Sequence, residues 1–165
     1  MTKAASPIPR GFHTVTPHLV IKGASEAIEF YKKALGAQEI SRMQGPGGQI
    51  GHAELKIGDS IIFLADEFPG PGNCPKSPQT VGACTTTIHL YVPDVDSTFK
   101  QAISAGGKET MPVTDMFWGD RFGTLVDPYG HTWGIATRTQ DLSKQELEEA
   151  SKAFWQSFQA KKKSA

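Results

Sequence analysis

The stretch TPHLVIKGASEAIEFYKKALGA at residues 16–37 decides the fold, because TIHLYVPDVDSTFKQAISAGG at residues 87–107 repeats its pattern. The two stretches align with an offset of about 71 residues, which pairs His18 with His89 and Ile28 with Phe99. Each copy opens with a run rich in β-branched residues, typical of a strand. Apolar residues three and four apart follow, which is typical of an amphipathic helix. We therefore predict two units that each begin with a strand and a helix.

Three further strands complete each predicted unit. In the first unit they are EISRM, IGHAELKI and SIIFLA, separated by glycine-containing turns. In the second unit they are ETMPV, RFGTLV and HTWGIAT, and Gly130 falls in the turn that matches Gly58. Ser25 is the predicted N-cap of the first helix, and Asp94 or Asp96 that of the second.

These patterns predict an α+β fold in which duplicated βαβββ modules form a curved, cup-shaped mixed sheet with helices on its convex face. We divide the chain into a first module at 12–66, a Pro/Gly-rich linker at 67–84 and a second module at 85–140, all within one domain. Residues 141–165 form a C-terminal helix and basic tail. This helix begins with a capping box, Ser143 with Glu146 three residues later, and is expected to pack on the sheet or on a second subunit.

Composition and charge limit the partners and the location of the protein. The 17 basic residues balance the 17 acidic ones, which argues against binding to nucleic acid. The sequence has no apolar run long enough to span a membrane and no secretory signal, so we expect a cytoplasmic protein without a membrane partner. Cys74 and Cys84 are expected to be free thiols, with a disulfide between them as the alternative.

Strand alternation predicts which side chains line the cup. Leu19 and Ile21 belong to the set that should meet the helix, so the intervening residues should point into the concave side. The predicted lining residues, taken from the first strand of each module and from IGHAELKI, are Thr16, His18, Val20, His52, Glu54, Lys56, Thr87, His89 and Tyr91.

The segments AIEFYKKALGA, LKIGDSIIFLADE and GDRFGTLVDPYGHTWGIAT, in this order and spacing, resemble the vicinal oxygen chelate superfamily. That superfamily includes glyoxalase I, extradiol dioxygenases, fosfomycin-resistance transferases and bleomycin-resistance proteins. The resemblance covers about residues 12–140 and is strongest to the PhnB-like, glyoxalase-related branch. It implies paired βαβββ modules and a homodimer whose cups hold a small-molecule ligand.

The resemblance also implies where a divalent metal would be held. Carried over by position, the four ligands fall on Thr16, Ile62 (or Phe63 one residue later), Thr87 and Gly134. None of these is a good ligand for a divalent cation, because hydroxyls are weak donors and Ile and Gly have no side-chain donor. We therefore predict no cofactor, and glyoxalase or dioxygenase chemistry that needs a metal is not expected.

Two alternatives remain open for the polar residues of the cup. His18, His52, Glu54 and His89 could converge as a displaced zinc or nickel set that serves a lyase, isomerase or transferase. They could instead be separate groups that hydrogen-bond a ligand or water. Glu54 or His89 could also act as an acid–base group without a metal.

The segment MFWGDRFG supplies the last two candidates. Trp118 could cover an aromatic ligand and Arg121 could bind a carboxylate or phosphate, or Arg121 could form a local ion pair with Asp120. The expected function is the binding of a small planar or carbonyl-bearing molecule, as in bleomycin-type resistance. The candidate ligand-binding residues are His18, His52, Glu54, Thr87, His89, Tyr91, Trp118 and Arg121.

Overall fold

The computed structural model describes residues 6–70 and 74–163 and contains two four-stranded sheets with four α-helices. The elements of the first module are β1 (His18–Ile21), α1 (Ala24–Leu35), β2 (Gln38–Gln44), β3 (Ile50–Ile57) and β4 (Ser60–Asp66). The linker contains α2 (Pro78–Val81). The second module and C-terminal helix comprise β5 (Thr87–Tyr91), α3 (Val95–Ser104), β6 (Lys108–Asp115), β7 (Asp120–Val126), β8 (Thr132–Arg138) and α4 (Lys144–Lys163).

The two sheets have the same topology, so the predicted duplicated α+β fold is confirmed. Their strand orders are β1-β4-β3-β2 and β5-β8-β7-β6, and in each the first strand pairs in parallel with the last strand of its module. The remaining pairs are antiparallel. The sheets are hydrogen-bonded separately rather than as one continuous sheet. Each module therefore has its own face opposite its helix, which we call its concave face.

The helices α1 and α3 cover the opposite, convex face of each sheet and pack against each other. Strand alternation places Leu19, Ile21 and Leu55 under α1, where all three are almost completely buried. Ile28 and Tyr31 fill the same core from the helix side because they lie on its apolar stripe.

A buried carboxylate joins the two modules. Asp127, in the turn between β7 and β8, is 3% exposed. Its Oδ2 atom accepts hydrogen bonds from the hydroxyl of Tyr31 on α1 at 2.6 Å and from Nε1 of Trp133 on β8 at 2.9 Å. Its Oδ1 atom accepts from the backbone N–H groups of Tyr129 and His131, both at 2.9 Å. Burial, followed by the negative charge of Asp127, raises the pKa of Tyr31, so this phenol stays protonated and donates.

The first helix begins differently from the prediction. Ser25 lies inside α1, and the N-cap is Gly23, whose φ of 83° is left-handed. The backbone N–H groups of Gly23 and Ala24 donate to Oδ1 of Asp66 at 3.1 and 2.9 Å. The carboxylate of Asp66, at the end of β4, thus caps α1 in place of the predicted Ser25 side chain. In the second module Asp94 caps α3 through the N–H of Ser97, as one of the two predicted alternatives.

The described part of the linker, 67–70 and 74–84, contains more hydrogen bonds than its composition indicates. Glu67 accepts hydrogen bonds from the N–H and hydroxyl of Ser77 at 3.0 and 2.6 Å and from the hydroxyl of Thr80 at 2.6 Å. These donors, with the hydroxyl of Ser77 contributing most, lower the pKa of Glu67 to about 2. Cys84 is a free thiol whose Sγ contacts the carbonyl of Thr86 at 3.1 Å, so the alternative disulfide with Cys74 does not form.

Replacing Glu67 with glutamine should lower the melting temperature by about 5 °C at neutral pH, because the amide cannot accept all three hydrogen bonds. A carboxyl whose pKa is depressed on folding stabilises the fold above its unfolded pKa of about 4.5, and this contribution is lost as the pH falls towards about 2. The difference between the two proteins should therefore shrink across that window in thermal melts followed by circular dichroism. The exposed Glu109→Gln is the matched control, and a pH-independent difference would contradict the assignment.

The C-terminal helix α4 begins as predicted. The N–H of Ser143 donates to the carboxylate of Glu146 at 2.8 Å, and the N–H of Glu146 donates back to the hydroxyl of Ser143 at 3.3 Å. The rest of this helix makes few contacts with either sheet, and its Phe154 ring lies 4.9 Å from that of Phe117. Among the described residues, no helix is both long enough and apolar enough to cross a bilayer.

Candidate functional site

The concave face of the first module carries a cluster of histidines around Phe63. The His52 ring lies 4.7 Å from the Phe63 ring, and the His18 ring lies 6.0 Å from Phe63 and 6.3 Å from His52, centroid to centroid. Nε2 of His52 is 3.5 Å from Oε1 of Glu54. Partial burial, and secondarily the charge of His52, lowers the pKa of His18. His18 is therefore a neutral imidazole at neutral pH that can donate one hydrogen bond and accept another.

The segment before β1 lies across this face. The ring of Phe12 contacts that of Phe63 with centroids 5.7 Å apart, and the two rings border a cleft of about 430 Å³. The cleft is lined by Pro7, Ile8, Pro9, Phe12, His13, Thr14, Thr16, Glu54 and Phe63. β1 starts only at His18, and the residues before it cover part of the concave face.

The concave face of the second module is an aromatic surface. The rings of His89 and Phe122 are stacked, with centroids 5.4 Å apart and an interplanar angle of 10°. Tyr91 lies 4.8 Å from His89, and Trp118 lies 5.9 Å from Phe122. We call His89, Tyr91, Trp118 and Phe122 the aromatic platform. Tyr91 is 64% exposed, so the platform is open to solvent at this edge.

A buried carboxylate fixes two rings of the platform. Asp120 is 5% exposed and its Oδ2 accepts from the hydroxyl of Tyr91 at 2.9 Å and from Nε1 of Trp118 at 3.0 Å. The hydrogen bond to Asp120 is the main cause of a raised pKa for Tyr91. Both donors are therefore committed to Asp120, and the two side chains present mainly their ring faces and edges to a ligand.

A glycine makes room for the platform. A Cβ atom on Gly134 would lie 2.8 Å from Cε2 of Phe122 and 3.3 Å from Nδ1 of His89. The Phe122 ring thus occupies the space that a side chain at position 134 would need. Sequence analysis missed Phe122, although its position two residues after Asp120 in β7 places both on one face by simple alternation.

Arg121 lies outside the site, contrary to expectation. It points to the convex side, where Nε and Nη2 each lie 2.7 Å from a carboxylate oxygen of Asp96 at the start of α3, and Nη1 is 3.3 Å from Asp115. These hydrogen bonds, led by those to Asp96, raise the pKa of Arg121 further. Asp120 and Arg121 alternate onto opposite faces of β7, so they do not form the alternative local ion pair either.

The positions that the family resemblance implies for a metal do not offer a ligand set. Thr16 precedes β1, Thr87 is the exposed first residue of β5, and the Phe122 ring covers Gly134. Ile62 is buried in the core, and the concave position on β4 belongs to Phe63, which pairs with His18. A divalent cation at these positions would meet two hydroxyls and the phenyl rings of Phe63 and Phe122, and the residues present do not fit one.

The displaced histidine set does not converge either. His18, His52 and Glu54 share the face of the first module, whereas His89 is stacked on Phe122 in the second. Within residues 6–70 and 74–163, no three His, Cys, Asp or Glu side chains are arranged as a metal site. The structure therefore separates the candidate residues into two groups, one on each concave face.

The paired βαβββ modules define the class of fold, and comparisons with known proteins agree. Residues 11–135 match the family model of the Glyoxalase/Bleomycin resistance protein/Dioxygenase superfamily. The chain belongs to this superfamily.

Individual relatives support the same assignment. The Mycobacterium tuberculosis protein Rv0887c is 38% identical over 137 residues, which is 82% of this chain and 81% of that protein. TioX from Micromonospora sp. ML1 aligns with a TM-score of 0.62 at 23% identity, covering 76% of this chain and 98% of TioX. The PhnB protein from Bacillus cereus aligns with a TM-score of 0.59 at 20% identity, covering 76% and 99%. At these identities the two solved structures establish the fold.

Proposed function

We propose that this protein binds a small planar molecule on the aromatic platform of its second module. The observation that carries the proposal is the stacked His89–Phe122 pair, flanked by Tyr91 and Trp118 and held rigid through Asp120. A flat ligand that stacks on such rings gains contact area at little entropic cost, because Tyr91 and Trp118 are already fixed by their hydrogen bonds.

A carbonyl group on the ligand could be hydrogen-bonded by polar groups beside the platform. The hydroxyl of Tyr91 and the indole N–H of Trp118 are occupied by Asp120, so they are not the donors for such a group. Thr87, on the same side of β5 as His89, supplies a hydroxyl, and the His89 imidazole supplies an N–H donor. Either can hydrogen-bond a carbonyl oxygen of a molecule that lies against Phe122.

Binding rather than metal-assisted catalysis is the function that these residues support. A metal-dependent lyase, isomerase or transferase needs converging ligands, whereas the histidines and Glu54 lie on two different faces. On the first module, Glu54 borders the cleft beneath Phe12. His52, 3.5 Å from Glu54, and the neighbouring His18 extend this side as a second, more polar surface for a ligand. A homodimer, which the resemblance implies, and a cytoplasmic location remain predictions.

The binding proposal is tested by substituting Tyr91, which is exposed and outside the core. We expect Tyr91→Ala to weaken the binding of acridine orange or anthraquinone sulfonate about tenfold, because one stacking ring is lost. Tyr91→Phe keeps the ring but removes its hydrogen bond to Asp120, so it should weaken binding less, by about threefold. Binding is measured by isothermal titration calorimetry.

Met43→Ala on the concave face of the first module is the matched control, since Met43 is comparably exposed at 60%. It should leave affinity unchanged. Equal loss of affinity in Met43→Ala and Tyr91→Ala, or no loss in either, would show that planar molecules do not bind on the platform.

A further inference from the structure

A buried carboxylate without a cationic partner adjoins the aromatic platform. Asp120 is 5% exposed, and its Oδ2 atom accepts from two neutral donors, the hydroxyl of Tyr91 at 2.9 Å and Nε1 of Trp118 at 3.0 Å. Within residues 6–70 and 74–163, Asp120 takes part in no ion pair. Because buried charges in proteins are normally paired, the negative charge of Asp120 is available to a partner from outside the chain.

The two arginines that adjoin Asp120 are bound to other carboxylates. Arg121, the next residue in the sequence, donates to Asp96 on the convex side. Arg138 lies opposite Asp120 in the pairing of β7 with β8, but its Nε atom is 2.7 Å from Oδ1 of Asp141 in an exposed ion pair. The excess charge at this edge of the platform is therefore negative, and the charge of Asp120 is the one that is shielded from solvent. A charge removed from water is screened less than an exposed one.

The rings of Tyr91 and Trp118 transmit this charge to the surface on which a ligand stacks. Each side chain donates a hydrogen bond to Asp120, and hydrogen bonds in a region of low dielectric constant polarise the groups that form them. The face of an aromatic ring already carries partial negative charge and attracts cations, most strongly for Trp and Tyr. Electron density that is displaced towards the two rings strengthens this attraction. Tyr91 is 64% exposed, so its ring is open to such a ligand.

We propose that the platform selects planar aromatic molecules that carry a positive charge on their ring system, and that Asp120 sets this preference. The inference rests on the binding function proposed above and names the class of its ligand. An aromatic cation stacks on His89 and Phe122 as a neutral ring does. It is attracted in addition by the rings of Tyr91 and Trp118 and by the charge of Asp120 beside them. A planar anion is repelled by the same groups.

The test compares three ligands that share one ring system, at a mildly alkaline pH where acridine is uncharged. They are the cation N-methylacridinium, neutral acridine and the anion of acridine carboxylic acid. We expect N-methylacridinium to bind about tenfold more tightly than acridine, and the carboxylate to bind more weakly than acridine. The fluorescence of the ligands, titrated with the full chain at one fixed ionic strength, measures the dissociation constants.

Substitutions separate the charge of Asp120 from its role in holding the rings. Asp120→Asn removes the charge but keeps an oxygen that can accept from Tyr91 and Trp118. It should weaken the binding of N-methylacridinium about tenfold and change that of acridine by less than about twofold. Glu109→Gln is the matched control, because it removes an exposed carboxylate from the α3 side of the same module and should leave both affinities unchanged.

A second variant tests the sign of the charge effect without altering Asp120. Arg138→Gln removes the positive charge opposite Asp120 and frees the carboxylate of Asp141. It should strengthen the binding of N-methylacridinium about threefold and leave that of acridine unchanged. Arg138 is exposed, so this variant is informative even where Asp120→Asn does not fold. Circular dichroism checks the fold of each variant.

Two results would overturn the inference and leave the binding function intact. The first is equal affinity of the unmodified protein for N-methylacridinium and acridine. The second is an Asp120→Asn variant that weakens the binding of all three ligands alike, which would show that Asp120 only holds the rings in place. If none of the three ligands binds, or if Tyr91→Ala leaves their binding unchanged, the proposed binding function fails together with the inference.

Discussion

Replacing Asp127 with alanine is expected to lower the free energy of unfolding by about 4 kcal/mol and the melting temperature by about 12 °C. Asp127 is 3% exposed and accepts from four donors: the Tyr31 hydroxyl, the Trp133 indole and two backbone N–H groups. Removing the carboxylate leaves these donors without an acceptor in a region with little water to replace it. Urea unfolding followed by circular dichroism measures the loss.

Two milder substitutions separate the contributions to this site. Asp127→Asn keeps the shape but turns one acceptor oxygen into a donor, so it should cost about 3 kcal/mol. Tyr31→Phe removes one donor and leaves Oδ2 of Asp127 paired with Trp133, so it should cost about 1 kcal/mol. If Asp127→Ala cost no more than Tyr31→Phe, the carboxylate would not join the modules as the contacts indicate.

Replacing Gly119 with alanine is expected to destabilise the protein by about 3 kcal/mol and to abolish binding of planar molecules. Gly119 has a φ of 94°, and an added Cβ would lie 2.7 Å from the backbone carbonyl oxygen of Gln140. That oxygen cannot move away easily, because the N–H groups of Thr139 and Gln140 both donate to the carbonyl of Gly119 at 2.9 Å. Thermal melts and dye titrations measure the two effects.

The loss of binding follows from the neighbours of Gly119. Trp118 and Asp120 flank it directly and belong to the hydrogen-bonded edge of the aromatic platform. Gly48→Ala is the matched control, because Gly48 has a similar φ of 82° but no atom within 4 Å of the added Cβ. It should cost only about 1 kcal/mol and leave dye binding intact. Equal costs for the two variants would show that the contact with Gln140 is not limiting.

The fold was largely predictable because its signals are local and repeated. The two copies of a strand and helix pattern predicted the duplicated α+β architecture, and alternation placed His18, His52 and His89 opposite the buried residues. The capping box at Ser143 was likewise predictable, since its partners are three residues apart. The cap of α1 was not, because Asp66 reaches Gly23 across 43 residues of chain.

The candidate site was predictable only in part. Arg121 was expected in the cup. The residue at which β7 begins decides which of its side chains point to the concave face, and these are Asp120 and Phe122 rather than Arg121. The local sequence did not reveal the first residue of β7, because aromatic and charged residues on both sides of it give no clear alternation of apolar and polar positions. The histidines lie on two separate sheets because of the tertiary structure, which cannot be inferred from their spacing in the sequence.

The hydrogen bond between Tyr31 and Asp127 has a consequence for how the repeated halves depend on each other. The acceptor belongs to the second half and one of its donors to the first, and the two helices pack on one another. Neither half keeps a complete interior when the other is removed. The chain should therefore melt as a single cooperative unit, although its architecture is that of a tandem repeat.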